Sequence, residues 1–207
     1  LNKLINKFLL KIRIFFVFFV FFVLISCDSH IKNINITEPK ALNKGSGKYA
    51  IFIDKKGWNL EKNYNFFRCK KEKFNININL LYQKEIIKII NQIFNNVTFY
   101  DYKITEDTIL SQNYIGFIEI IQNTAYSEFK FDGDYSEFRL ELNGLIKIRG
   151  FHNNIFKSDI SAQGFGRKEV LIDCKSKQVS MIAVGNSISQ YLKVISDNIY
   201  AGISRIK

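Results

Sequence analysis

The sequence of 207 residues carries 30 Lys and Arg against 19 Asp and Glu, a net charge of +11. Lys, Asn, Ile, Phe and Tyr are abundant, as AT-rich codons would produce, so the excess of Lys need not mark a binding surface. The sequence has no recognisable nucleic-acid-binding motif, and we therefore expect no nucleic-acid partner.

The first 26 residues have the pattern of an export signal. Lys3, Lys7, Lys11 and Arg13 form a basic segment without acidic residues, and the 12 residues from 14 to 25 are all Ile, Phe, Val or Leu. Twelve residues of helix span about 18 Å, against the ~30 Å of hydrocarbon in a bilayer. A longer membrane-spanning segment would have to accommodate three of the cations, so the sequence predicts a cleaved signal.

The apolar run ends in Leu24-Ile25-Ser26-Cys27, which resembles the lipobox of bacterial lipoproteins. The resemblance implies transfer of diacylglycerol to the Cys27 thiol, cleavage between Ser26 and Cys27, and acylation of the new amine. Each buried acyl CH₂ contributes about 0.8 kcal/mol, so several chains hold a protein firmly on a membrane. The resemblance therefore predicts a lipoprotein of the bacterial cell envelope, anchored through Cys27 on the non-cytoplasmic side of a membrane.

Removal of the signal leaves 181 residues with 26 basic and 19 acidic side chains, a net charge of +7. This length fits one domain. Residues 27–48 are polar, contain the only proline and end in a Gly-Ser-Gly segment, which predicts a lipidated tether. Residues 49–207 are predicted to form a single α+β domain.

The first half of this domain predicts two strands and a helix. Tyr49–Ile53 is a short β-rich run, and from Phe74 to Leu80 apolar residues alternate with Asn, as in a half-buried strand. From Leu81 the apolar period becomes helical. The residues of this predicted amphipathic stripe are Ile86, Ile87, Ile90, Ile93, Phe94 and Val97.

The second half predicts several more strands and a second helix. Residues 97–104 and 113–121 are β-rich, residues 138–148 alternate, and 155–165 form a returning strand whose end is marked by Gly164 and Gly166. Asn143-Gly144 fits either a hairpin turn or a bulge in one long strand that turns at residues 152–154. After Lys175 the helical spacing returns, and we expect this helix on the same sheet face as the first.

The order of elements predicts an α+β fold, with an antiparallel sheet of about five or six strands and two helices packed on one face. This arrangement resembles compact lipoproteins of envelope transport and assembly, such as the lipopolysaccharide-assembly and ABC-transporter auxiliary lipoproteins. The resemblance covers residues 49 to 205 and rests on element order and size. It implies a binding role without catalysis.

Two further cysteines, Cys69 and Cys174, form an even pair. An oxidising envelope would allow a disulfide between them, and two buried free thiols are the alternative. A Cys/His nucleophile that pairs His152 with either thiol is a weaker alternative, while His30 lies in the predicted tether. We find no cofactor-binding motif and no residue spacing typical of a metal site. Asp132 and Asp134 resemble the start of a calcium loop, but the later ligands of such a loop are missing.

Two other groups of residues have ordinary explanations. The basic cluster from Arg68 to Lys73 fits a solvated loop better than an anion site. Aromatic residues near the first strand could line a binding surface, although such residues usually belong to the core. They are Trp58, Tyr64, Phe66 and Phe67.

These observations predict a membrane-anchored, non-enzymatic binding module that serves envelope assembly or transport by holding another envelope protein. The alternative is a surface lipoprotein that recognises anionic glycans or host molecules through its positive charge. An envelope hydrolase comes third, since no catalytic motif is visible. The sequence does not predict an oligomeric state.

Overall fold

The computed structural model describes residues 36–37, 45–54, 58–64, 72–132, 134–150, 154–169 and 176–206, without the side chains of 59–64, 72–77 and 176–177. The described residues form seven strands and three helices. The strands are β1 (Gly45–Ile53), β2 (Asn59–Tyr64), β3 (Glu72–Asn77), β4 (Phe94–Tyr100), β5 (Gly116–Asp132), β6 (Tyr135–Gly150) and β7 (Ile155–Glu169). The helices are α1 (Ile78–Ile93), α2 (Glu106–Ser111) and α3 (Ser176–Ile206).

Five strands form one mixed sheet in the order β4-β1-β5-β6-β7, and β2 and β3 form a separate antiparallel pair. Strand β1 is parallel to both β4 and β5, whereas β5, β6 and β7 are antiparallel. The prediction of an α+β fold with a five-stranded sheet is confirmed, but the prediction of a purely antiparallel sheet is wrong. Parallel neighbours need a crossover connection, and β2, β3 and α1 together provide it between β1 and β4.

Helices α1 and α3 pack on the same face of this sheet, as predicted. We call it the inner face. Both helices and the strand residues Tyr49, Ile51 and Ile53 belong to one buried cluster. The predicted stripe of α1 is correct at Ile86, Ile90 and Ile93, but α1 ends there and the exposed fraction of Ile87 is 41%. Phe94 and Val97 belong to β4 instead.

Strand β6 is continuous through Asn143-Gly144, so the reading as a hairpin turn is wrong. An irregularity does lie here, but in the partner strand, where the register with β6 shifts between Gln122 and Thr124 of β5. Gly144 faces the tip of a side chain of α3, because a Cβ built on it would meet Tyr191 Oη. This glycine therefore allows close packing of helix on sheet.

Strand β7 passes through Gly164 and Gly166 and ends at Glu169, so these residues do not mark its end. Both glycines lie directly under α3. A Cβ built on Gly164 would come within 1.9 Å of the Ala183 carbonyl oxygen, and one on Gly166 within 2.1 Å of the Val179 carbonyl oxygen. The missing side chains bring the backbones of helix and strand into contact.

Three other boundaries differ from the prediction. The alternating segment becomes helical at Ile78, and β4 ends at Tyr100 rather than at residue 104. The short helix α2 was not predicted. Thr105 caps it, since the Thr105 hydroxyl accepts a hydrogen bond from the Thr108 amide at 3.4 Å.

Two residues of the predicted tether contact the domain. Ile36 is partly buried and packs against the inner-face cluster. The Thr37 amide donates a hydrogen bond to Ser189 Oγ of α3 at 2.8 Å. Strand β1 also begins at Gly45, four residues before Tyr49. The chain that precedes the first strand is thus in contact with α3 at one point.

Candidate functional site

Most of the residues singled out in the sequence lie outside the described part of the structure. These are Ser26, Cys27, His30, Phe66, Phe67, Cys69, His152, Cys174, the side chain of Tyr64, and the basic cluster from Arg68 to Lys73, of which the structure describes only the backbone of 72–73. The lipid anchor, the cleavage site and the disulfide therefore stay predictions. Within the described segments, no helix combines the length and apolarity needed to cross a bilayer.

The structure does place Trp58, Asp132 and Asp134. Trp58 is 3% exposed, and its ring centroid lies 5.0 Å from that of Tyr82 and 4.9 Å from that of Tyr191. Burial raises the pKa of both tyrosines above the usual value of 10, so their hydroxyls stay neutral. Trp58 therefore belongs to the core, as the ordinary explanation held.

Asp132 ends β5 and Asp134 precedes β6, so the pair flanks a turn. Asp132 faces Arg167, whose Nη2 lies 3.4 Å from Asp132 Oδ2. In the described part of the chain, no group of three or more His, Cys, Asp or Glu side chains could hold a metal ion.

The best candidate site in the described structure is the outer face of the sheet, meaning the side chains of β5, β6 and β7 that point away from α1 and α3. These strands are 15 to 17 residues long. A face about 50 Å long and about 14 Å wide covers roughly 700 Å², close to the ~800 Å² that each partner contributes to a standard interface. The face is therefore large enough to bind another protein.

Helix α2 and its flanking loops cover the outer surface of β1 and the start of β5. Ala50 and Phe117 lie in a small buried cluster with Ile104, Ile109 and Tyr114. Among the described residues this cover does not include β6 and β7, so they leave most of the outer face open.

At the border of the covered region, the hydroxyls of Tyr100 and Tyr114 are 2.9 Å apart. This hydrogen bond is the main cause that raises the pKa of Tyr100 to about 12. Burial alone would raise the pKa of Tyr114. Hydrogen bonds with Thr98 and Tyr100, together with the nearby Lys48 ammonium, outweigh burial, so the pKa of Tyr114 is lowered. Tyr114 thus acts as the acceptor when it loses its proton.

One end of the outer face is basic. We define the basic end as Lys103, Lys147, Arg149 and Lys157, which surround or adjoin the buried carboxylate of Glu119. Glu119 is 3% exposed, and Lys103 Nζ lies 3.0 Å from its Oε2. Arg149 Nη2 and Lys147 Nζ lie 3.5 Å and 3.7 Å from its Oε1. Four cations against two carboxylates, Glu119 and the outward-facing Asp159 of β7, leave this end with a positive charge.

The other part of the face, which we call the distal half, comprises the outward side chains of residues 126–132, 135–141 and 163–169. Arg167 is its centre, with Nε 3.1 Å from Glu137 Oε1 and the guanidinium carbon 4.2 Å from the Tyr135 ring centroid. The distal half carries three cations and five carboxylates. They are Lys130, Arg139, Arg167, Glu128, Asp132, Glu137, Glu141 and Glu169.

Aromatic side chains stand among these charges. The exposed fractions of Tyr126, Phe165 and Tyr135 are 55%, 43% and 39%. Tyr, Phe and Arg are enriched in protein–protein interfaces, because the aromatic rings bring large, rigid contact areas and the Arg guanidinium brings several hydrogen-bond donors. The distal half therefore has the composition of a protein-binding surface.

Sequence reasoning missed both the basic end and the distal half as units. One signal for the first was available, because Glu119 interrupts the apolar run from Gly116 to Ile121, and an isolated carboxylate in a buried strand needs partners. No local signal joins Lys157 to Lys147, since only the register of β6 and β7 brings them together.

Comparisons with known proteins give neither a family nor a curated relative, since no family model and no curated protein matches the sequence. The solved structures that show partial similarity include the following three. A Xanthomonas campestris protein of the DUF330 family has a TM-score of 0.45 at 10% identity and covers 84% of this chain and 92% of its own. A minor lipoprotein from Acinetobacter baumannii has a TM-score of 0.38 at 10% identity, with 76% and 96% covered.

The third is a neuraminyllactose-binding hemagglutinin homolog from Helicobacter pylori, with a TM-score of 0.32 at 13% identity, covering 82% of this chain and 92% of its own. These values assign neither family nor function to the chain. It is a chain with an α+β fold whose partial structural neighbours include a minor lipoprotein.

Proposed function

We propose that this chain is a lipid-anchored lipoprotein of a bacterial envelope that holds another envelope protein on the outer face of its sheet, without catalysis. The role is that of an assembly or transport accessory. The observation that carries the proposal is the open outer face of β5, β6 and β7, with its exposed aromatic residues. The lipobox motif at Leu24-Ile25-Ser26-Cys27 supports the anchor.

The chemistry of the distal half indicates which kind of partner fits. Its side chains carry both signs of charge and are spaced along three strands. A folded protein can match such a pattern with opposite charges, whereas a uniformly charged polymer would meet some like charges within it. The exposed rings of Tyr126 and Phe165 would supply the buried centre of the contact.

An anchor adds to weak binding of this kind. Acyl chains on Cys27 confine the domain to a thin layer above the membrane, and the effective concentration of a partner in that layer rises without any new contact. A binder that works in this way needs position more than high affinity. The residues that follow Cys27 would therefore matter for function even where they touch no partner.

Site-directed photocrosslinking in intact cells tests the proposal. We would replace Phe165, in the distal half, by benzoylphenylalanine, irradiate the cells and extract the membranes with detergent. A defined cross-linked complex is expected, and Cys27→Ala should weaken it. The matched control is the same replacement at Leu80 of α1, whose exposed fraction is 74% and which lies away from the outer face.

Two results would contradict the proposal. The first is equal recovery of the same complex from Leu80 and Phe165, which would show that cross-linking is not specific to the outer face. The second is recovery of monomer alone together with a hydrolytic activity that His152→Ala abolishes, which would establish the envelope enzyme instead. Palmitate labelling of the wild type and its loss in Cys27→Ala test the anchor independently.

The alternative function, recognition of anionic glycans, draws on the basic end. Salt-sensitive retention on heparin that is lost when Lys147 and Lys157 are changed to Gln would favour it over a protein partner. Retention that survives these changes would count against it.

A further inference from the structure

A cavity of about 400 Å³ lies at the end of the edge strand β7, where the last turn of α3 meets it. It is lined by Asn154, Ile155, Phe156, Lys157, Arg205 and Ile206. Phe156 and Ile206 are buried and form the fixed apolar wall, whereas Asn154, Lys157 and Arg205 are exposed and form the polar rim. A pocket with this lining can take a group that is polar at one end.

Among the described residues that line the pocket, the polar rim is cationic and has no acidic side chain. Arg205 lies on the inner face, where its guanidinium carbon is 5.2 Å from the Phe156 ring centroid, whereas the Lys157 side chain leaves β7 on the outer face beside Lys147, so the two cations flank the edge of β7. Arg offers several N–H donors in a planar fork and Lys a compact charge, the pair of groups that proteins use for phosphate. A phosphate ester is therefore the ligand class that fits the rim.

The pocket lies at the edge of the sheet, next to the basic end of the outer face. In the sheet register Ile155 pairs with Arg149, and Lys157 pairs with Lys147. The distal half at the opposite end carries more carboxylates than cations. An anionic surface would thus attract one end of the sheet and repel the other, which fixes the orientation of the domain.

We infer that this pocket binds the phosphate of an anionic phospholipid headgroup in the membrane that carries the anchor. The inference rests on the lipid anchor of the proposed function and adds a second contact with the same membrane. Ile155 stands beside the rim with an exposed fraction of 53%, and it is placed to contact the headgroup region.

The length of the chain permits this contact. The nine peptide units from Cys27 to Ile36 extend at most ~32 Å. Ile36 and Thr37 lie beside Ser189, and the next residue, Gln190, accepts a hydrogen bond from the Gln163 amide through its Oε1. From Gln163 to Ile155 the strand covers about 26 Å. The acylated cysteine can therefore reach a membrane on which the basic end rests.

Protection of Lys157 from acetylation tests the inference. The full-length acylated protein would be reconstituted in two kinds of vesicle, phosphatidylcholine alone and phosphatidylcholine with about 30 mol% phosphatidylglycerol. Both would carry the same amount of protein and would be treated with acetyl N-hydroxysuccinimide. The acetylation rate of each lysine would be read by mass spectrometry. We expect phosphatidylglycerol to slow acetylation of Lys157 by about fivefold, the factor for one cation near an anionic surface.

Lys130 in the distal half is the internal control, because it is 50% exposed and should react equally in both vesicles. Arg205→Gln should restore the reactivity of Lys157, whereas Arg167→Gln in the distal half should not. Equal Lys157 rates in both vesicles, with the protein still on the membrane, would overturn the inference and leave the anchor intact.

Two further arms separate the remaining cases. Inorganic phosphate at millimolar concentration, with phosphatidylcholine vesicles, should protect weakly; protection as strong as with phosphatidylglycerol would overturn the headgroup assignment in favour of a free anion. Dihexanoyl phosphatidylglycerol below its micelle concentration reaches the pocket without an anchor. Protection of Lys157 by this lipid would support the pocket even if Cys27 proved not to be acylated.

Discussion

The two faces of the sheet use different physical chemistry. The inner face is apolar and close-packed, with α3 so near to β7 that Gly164 and Gly166 leave no room for a side chain. The outer face of the same strands is polar, and its buried exceptions, Glu119 and Glu137, are held by cations. Shape therefore limits substitutions on the inner face, whereas charge and exposure limit them on the outer face.

The strongest test of this contrast is Gly164→Ala. The new Cβ would lie 1.9 Å from the Ala183 carbonyl oxygen and 2.5 Å from the Ser187 amide nitrogen, both backbone atoms, so helix and strand must separate. We expect a loss of about 3 kcal/mol in the free energy of unfolding. The measurement is urea denaturation followed by circular dichroism. The matched control is Ser161→Ala, an exposed residue of the same strand, for which a change within about 0.5 kcal/mol is expected.

Glu119→Gln tests the more deeply buried of the two outer-face carboxylates that cations hold. The amide keeps the shape of the side chain but loses the charge that draws Lys103, Lys147 and Arg149 together. We expect a loss of about 2 kcal/mol, because hydrogen bonds to charged groups contribute more than neutral ones. The cations are part exposed and can return to water, which limits the loss. Glu128→Gln, on the same strand and face, should change stability by less than about 0.5 kcal/mol, and equal losses for both would contradict the role of Glu119.

Phe165→Ala should separate folding from binding. The Phe165 side chain is 43% exposed, and the hydrogen bond that Asn186 donates reaches its backbone oxygen, which the substitution keeps. We expect a modest loss of about 1 to 2 kcal/mol in the free energy of unfolding, because the ring is only part buried. Cross-linking from a second outer site, Tyr126, should nevertheless fall if Phe165 is part of the interface. Unchanged cross-linking would place the interface elsewhere.

The smallest expected effect concerns alkaline pH. The pKa of Tyr100 is raised to about 12, so its stabilising contribution is complete below pH 10 and is lost as the pH rises toward 12. The lowered pKa of Tyr114 acts in the opposite sense, because the folded state releases that proton more readily. Ultraviolet titration should resolve one tyrosine that ionises early, and Tyr100→Phe should move that early step toward pH 10. An early step that Tyr100→Phe leaves unmoved would contradict the pairing.

Local pattern predicted the elements whose signals lie within one segment. The apolar spacing after Lys175 gave α3, and the alternation of residues 138–148 gave β6. The alternation from Phe74 was misleading beyond Asn77, because Ile78 and Tyr82 are both buried and continue the helical period into α1. Helix α2 had a signal that was available, since Thr105 is followed by Glu106 and Asp107 in the first turn.

Other features depend on contacts that no segment contains. The register shift near Asn123 changes which residues of β5 face the core: even-numbered residues before the shift and odd-numbered residues after it. Ile120 and Phe129 are therefore both buried, and the sequence of this one strand looks like two segments. The parallel pairing of β1 follows from chain crossover. The candidate site shares this property, because Lys147 and Lys157 meet only through register and Arg205 only through the packing of α3.

If Cys27 carries the proposed lipid, the contact of Ile36 and Thr37 with α3 limits the volume that the domain can reach. Without it, the chain from Cys27 to Gly45 would extend up to ~65 Å, whereas the chain from Cys27 to Ile36 extends only to ~32 Å. Halving the radius reduces the half-sphere that the domain can explore by about eightfold, and raises the local concentration of a membrane-bound partner by the same factor. Ile36→Asp would remove this contact and lengthen the tether. Capture of partners should then weaken, although the outer face that binds them is unchanged.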